Sequence, residues 1–102
     1  MAVLEVMKYE VPGDKLEAYS KWSEGAVKRL LIPPLIEFRA YRPVVGASLA
    51  VIIGEFADLA AWAAWRSNKE TEKLVAELET FAVNMSNEVW GPSPIVPKPI
   101  RP

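Results

Sequence analysis

"LAVIIGEFADLAAWAAWRSNKE", residues 49–70, decides how this chain is read. Leu49 to Phe56 is apolar at both parities until Glu55, which predicts a strand covered on both faces. Asp58 is placed to cap a short helix running through Trp65. Ser67 and Glu70 match a capping box, S-x-x-E, that opens a further helix. In that helix Leu74, Leu78, Phe81 and Met85 form an apolar stripe.

Working outward, Gly46-Ala47-Ser48 reads as a hairpin connection back to residues 35–45, "LIEFRAYRPVV". There Ile36, Phe38 and Ala40 share one parity, and Leu35, Glu37, Arg39 and Tyr41 the other. Pro33-Pro34 ends whatever precedes it. Upstream, Pro12-Gly13 marks a turn, and Asp14 with Glu17 matches a capping box. Leu16, Tyr19, Trp22, Ala26 and Leu30 then follow at helical spacing, with Lys28 and Arg29 at the negative pole of the helix. Residues 2–10, "AVLEVMKYE", read as a first strand. Glu88 to Trp90 reads as a last one. Beyond it Pro92, Pro94, Pro97, Pro99 and Pro102 restrict the chain to an edge strand or an extended tail.

The order β-α-β-β-α-β is the split βαβ, or ferredoxin-like, motif: an α+β fold with an antiparallel sheet and helices on one face. A lone sheet of this kind would alternate cleanly between apolar and polar. Here the first strand carries Val3, Met7 and Tyr9 on one parity and Leu4 and Val6 on the other. The strand at 49–56 sets Leu49, Val51 and Ile53 against Ala50, Ile52 and Phe56. Helices cover one face, and the simplest cover for the second is another copy, sheet on sheet, in a dimeric α/β barrel. The bulk numbers agree. One domain of 102 residues has a modest core, yet 51% of its residues are hydrophobic. Residues 1–91 are expected to form the domain, and 92–102 a proline-rich tail docked on the partner subunit. Ile95, Val96 and Ile100 argue for docking. A frayed end and a PxxP ligand for another protein's groove are the alternatives.

Composition narrows the chemistry. The net charge is −1, with no basic footprint for nucleic acid and no basic run for a membrane surface. Histidine and cysteine are both absent, which removes disulfides, thiolate and imidazole metal sites, the Ser-His-Asp triad and a histidine-ligated haem. An all-carboxylate metal site would need a clustered Asp/Glu motif, and none stands out. The expectation is therefore no metal and no cofactor. With no signal peptide in "MAVLEVMKYE" and no membrane-spanning run, the expected location is cytoplasmic.

Three runs, "VPGDKLEAYSKW" (11–22), "PPLIEFRAYRP" (33–43) and residues 49–70, carry a resemblance to the dimeric α/β-barrel superfamily, and within it to the antibiotic biosynthesis monooxygenase-like group. The resemblance covers about residues 3 to 91. It implies two sheets packed face to face and, in each subunit, a cavity between sheet and helices. It also implies cofactor-free oxygenation of aromatic polyketide or quinol-type substrates, or haem degradation. The histidine that ligates haem in the degrading members has no counterpart here. In the best-understood members a helix tryptophan and a first-strand or pocket asparagine matter. Trp62 or Trp65 stands for the tryptophan. The first strand has no asparagine, and its inward candidates are Glu5, Met7 and Tyr9.

Each candidate has two readings. Trp22, Trp62 and Trp65 are core packing, or one of them walls a cavity whose space is left by Ala60, Ala61, Ala63 and Ala64. Glu37, Arg39 and Tyr41 are a solvated or interface set of cross-strand pairs, or the polar corner of a pocket. Glu5 shares a face with Tyr9. A carboxylate on a strand apolar on both sides needs a partner, which makes Glu5 the general-base candidate. Glu5, Tyr9 and Trp65 are thus the catalytic candidates, with Met7, Trp22, Arg39, Tyr41 and Trp62 as pocket residues. Arg66 reads as a surface residue with its stem laid along apolar neighbours. Two functions follow: a homodimer that binds a small apolar or aromatic ligand and oxygenates it without a cofactor, or a non-catalytic ligand-binding or structural dimer.

Overall fold

The computed structural model describes residues 2–46 and 48–102. Ala47, in the predicted hairpin connection, lies outside the described residues. The elements run β1 (Val3–Glu10), α1 (Leu16–Leu30), β2 (Glu37–Tyr41), β3 (Ala50–Phe56), α2 (Leu59–Arg66), α3 (Lys69–Glu79) and β4 (Val83–Trp90). The four strands form one antiparallel sheet in the order β2-β3-β1-β4. β1 and β3, the most apolar segments, therefore take the two central places, and the more polar β2 and β4 the edges. This is the ferredoxin-like arrangement expected from the element order.

Register settles which parity faces the helices. Met7 pairs with Ile52, and Ile52 with Ala40. Cross-strand partners point to the same side. The helix-facing set is thus Val3, Glu5, Met7 and Tyr9 with Phe56, Gly54, Ile52 and Ala50, joined by Phe38 and Ala40. Two buried clusters lie above it. Val3, Phe56 and Trp65 pack together at one end, and Met7, Tyr9 and Leu78 at the other.

The opposite face, which no helix covers, carries Leu4, Val6 and Lys8, then Val51, Ile53 and Glu55, then Glu37, Arg39 and Tyr41. Its apolar centre is Val6 with Ile53, and Val6 is only 1% exposed within a single chain. Charged residues surround that centre.

Several local expectations are corrected. Asp14 caps nothing: Gly13–Lys15 is a 3-10 turn, and α1 begins at Leu16 without a side-chain cap. The cap of α3 is Asn68, whose side chain accepts from Glu70 N, while Ser67 closes α2. Asp58 caps α2 as expected, accepting from Ala61 N at 2.8 Å. The stripe of α3 stops at Leu78: the helix ends at Glu79, Phe81 lies in the turn, and Met85 belongs to β4. That strand begins at Val83, five residues before the predicted Glu88. Residues 91–102 carry no helix or strand, and Ile95 and Ile100 are 89% and 78% exposed.

An ionic clamp holds α1 to α3. Arg29 donates through Nη1 and Nη2 to Glu77 at 2.9 Å each, and through Nε to Glu70 at 2.7 Å. Trp22 Nε1 adds a bond to Glu77 Oε1 at 2.8 Å. These donors, Arg29 first and Trp22 second, lower the Glu77 carboxyl from 4.5 to about 2. Between those values the unfolded chain binds a proton that the folded chain does not. The contribution is therefore complete above about pH 4.5 and disappears as pH falls to about 2. Because the pair is a third exposed, water screens it and its net worth is modest. Melting temperatures from pH 5 to pH 2 should fall more steeply for wild type than for Glu77→Gln; parallel profiles would count against the clamp.

Candidate functional site

A cavity of about 250 Å³ lies between the sheet and the helices. Its floor is the helix-facing set of β1, β3 and β2: Glu5, Met7 and Tyr9, then Gly54 and Ile52, then Phe38 and Ala40. Its roof comes from Tyr19, Trp22 and Ala26 on α1, from Thr71, Leu74 and Leu78 on α3, and from Trp65 and Arg66 where α2 ends. The lining is mainly apolar, as in small-molecule sites, and such a space exceeds the roughly 150 Å³ that accommodates benzene. Gly54 contributes by its lack of a side chain. A Cβ there would stand 3.1 Å from Leu35 Cδ1 and 3.4 Å from the Phe56 ring.

Glu5 is the buried acidic residue of this space, 5% exposed. Its Oε2 accepts from Trp62 Nε1 at 2.6 Å, the partner its position demanded. Trp62 is thus set behind Glu5, outside the cavity lining, and orients the carboxylate. Trp65 belongs to the core and to the cavity at once. It packs on Phe56 with ring centroids 5.2 Å apart, donates to the Leu30 carbonyl at 3.2 Å, and also lines the cavity. Core filler and cavity wall, posed as alternatives, are two sides of one indole.

At the other end the Tyr9 and Tyr19 hydroxyls share a short hydrogen bond. Burial, then the bond to Tyr19, raises the Tyr9 pKa. Tyr9 thus stays a phenol at neutral pH, able to hydrogen-bond an oxygen but not to act as a base. Trp22 lines the cavity with its ring while its N–H is engaged by Glu77.

Glu5, Met7, Tyr9, Trp22 and Trp65 therefore converge on one space. Arg39 and Tyr41 do not. Arg39 pairs with Ile53 and Tyr41 with Val51, which puts both on the helix-free face, with Glu37. There Arg39 is ion-paired with Glu37, which raises its pKa. Their placement in the pocket is corrected. Strand parity grouped them rightly, but only the register with β3 shows which face that parity takes.

Two residues at the roof escaped the sequence reading. Arg66 is half-buried: its Nη1 is buried without a hydrogen-bond partner among the described residues, while the residue also borders an open groove with Glu72 and Glu79. Thr71, 1% exposed, has a buried Oγ1 that also lacks one. The signal for Thr71 was present, because it precedes Leu74 and Leu78 by three and seven residues, a hydroxyl on an otherwise apolar stripe. Among the described residues no cluster of three potential metal-ligating His, Cys, Asp or Glu side chains occurs, and no helix is long and apolar enough to cross a membrane.

Solved structures share this architecture. A conserved protein from Methanosarcina mazei Go1 superposes with a TM-score of 0.75 at 12% identity, over 88% of this chain and 91% of that one. A dimeric ferredoxin-like protein of unknown function from Thermobifida fusca YX gives 0.74 at 9% identity, over 88% and 90%. SnoaB, a cofactor-independent oxygenase from Streptomyces nogalater, gives 0.71 at 15% identity, over 95% and 98%. No protein-family model matches the chain, and no curated protein does. At such identities the likeness is one of backbone architecture: this chain has the ferredoxin-like fold found in SnoaB and in the Thermobifida protein.

Proposed function

We propose that this protein binds a flat, mainly apolar molecule in the cavity between sheet and helices, works as a homodimer, and oxygenates an electron-rich aromatic substrate without a cofactor. The observation that carries the reading is the cavity itself, a mainly apolar space of about 250 Å³ into which a buried carboxylate is built. SnoaB, which shares the fold, supports the choice of chemistry.

The roles follow from the geometry. Trp65 offers a ring face for stacking. Glu5, held through Oε2 by Trp62, keeps Oε1 for the substrate and takes its acidic proton. Tyr9 and Tyr19 present hydroxyls to an oxygen of the ring system. With an anthrone, proton loss from the ring methylene leaves a carbanion that reacts with dioxygen. One oxygen atom becomes the new carbonyl, and the other leaves as water with both methylene hydrogens.

The assembly pairs the helix-free faces of two sheets around Val51 and Ile53, which are half-buried within one chain. An apolar centre with a charged rim is the anatomy of an interface. The Thermobifida protein of the same fold is dimeric. The exposed Ile95 and Ile100 of the stiff proline-rich tail would then lie against the partner.

A panel of quinols and anthrones under oxygen tests the activity, with Trp65→Phe and Glu5→Gln beside the wild type. The expected result is turnover that falls at least about 100-fold in Glu5→Gln, the usual scale of a lost general base. Binding without turnover would leave a non-catalytic ligand-binding dimer. Turnover indifferent to both substitutions would remove Glu5 and Trp65 from the chemistry.

A further inference from the structure

Arg66 and Thr71 both line the roof of the cavity, Arg66 as the last residue of α2 and Thr71 in the first turn of α3. Each has a buried polar atom with no hydrogen-bond partner among the described residues, Nη1 in Arg66 and Oγ1 in Thr71. Buried polar groups are almost always paired, and an orphan cation is the costlier kind. Elsewhere this chain satisfies its buried or half-buried polar groups: Glu5 has Trp62, Trp22 has Glu77, Tyr9 has Tyr19. Among the described residues Arg66 takes part in no ion pair: Glu70 and Glu77 are both taken by Arg29, and Glu72 and Glu79, which border a groove with Arg66, make none with it.

We infer that Arg66 and Thr71 form an oxygen-anion subsite, and that the ligand of this cavity is an aromatic molecule bearing a carboxylate or phenolate at the end that meets α2 and α3. A guanidinium N–H and a hydroxyl are both donors, and together they suit one anionic oxygen. The remaining wall is mainly apolar and suits the ring, with Glu5, Tyr9 and Tyr19 as polar groups away from that head. The polarity of the site is then defined: anionic head at Arg66 and Thr71, ring against Trp65, and the far end toward Tyr9 and Tyr19. This inference rests on the cavity being the binding site and adds the charge and orientation of what it binds.

The test compares 2-naphthoate with 2-methylnaphthalene, two probes of similar shape that differ in the anionic head. Binding to the full chain is read from the indole N–H resonances of the four tryptophans. 2-Naphthoate should bind at least roughly tenfold more tightly, the scale of one hydrogen bond to a charged group. Arg66→Met should abolish that preference while leaving 2-methylnaphthalene binding intact. Arg66→Lys should keep part of it, and Thr71→Val should reduce it several-fold. Equal binding of the two probes by wild type, or a preference that survives Arg66→Met, overturns the subsite and leaves the cavity reading standing. Binding of neither probe overturns both.

Discussion

Phe56→Ala is expected to lower the free energy of unfolding by about 3–5 kcal/mol. Phe56 ends β3 on the helix-facing side and is 0% exposed. It sits among Val3 and Trp65, beneath the short helix that Asp58 caps. Leu30, Ile32 and Leu35 pack against this cluster and can close only part of the space its ring would leave. Gly54 cannot fill it, and the Trp65 indole is tied to the Leu30 carbonyl. For a domain whose whole stability is about 5–15 kcal/mol, such a loss takes the chain close to unfolding. Urea titration of wild type and variant measures it. A midpoint shift equivalent to less than about 1 kcal/mol would mean that this end of the core is loosely filled.

Ile53→Lys should abolish self-association while leaving the fold in place. Ile53 stands at the middle of the helix-free face, with Val6 on one side and Arg39 on the other. Within a single chain it is only half-buried, so a lysine can reach water there and the subunit still folds. Between two sheets it cannot. The new ammonium would be desolvated with the Arg39 cation beside it, and the dyad would bring its copy from the partner. An unpaired buried charge costs several kcal/mol, so dimerisation should weaken at least roughly 100-fold. Sedimentation of the variant, with circular dichroism to confirm the fold, reads this out. A folded Ile53→Lys that associates as tightly as wild type would place the interface elsewhere.

Most of the architecture was legible in the sequence, because its signals are local. Pro12-Gly13, Pro33-Pro34 and Asp58 divide the chain, and two-sided apolar strands identify β1 and β3 as central. What escaped depends on contacts distant in sequence or on competing local signals. Phe81 and Met85 continue the helical spacing of Leu74 and Leu78, and no glycine or proline marks the stop. Yet the Phe81 and Ala82 amides both bond to the Leu78 carbonyl, and the chain turns into β4. Ser67 and Asn68 are both good caps, and the choice between them is one residue of helix phase.

The site was legible in part for the same reason. Strand parity put Glu5, Met7 and Tyr9 together correctly. It also grouped Arg39 with Tyr41, but whether that group met the helices depended on Arg39 pairing with Ile53, a fact of register. Arg66 and Thr71 are brought onto one cavity by the bend between α2 and α3, which no periodicity within either helix foretells.

The proposed assembly rests on the helix-free face of the sheet, where Val51 and Ile53 are only half-buried within one chain. Sedimentation equilibrium of the wild-type protein at micromolar concentration tests it most directly. The expected result is a species of twice the 11.4 kDa chain mass. A well-folded species of 11.4 kDa, with no association on raising the concentration, would contradict it.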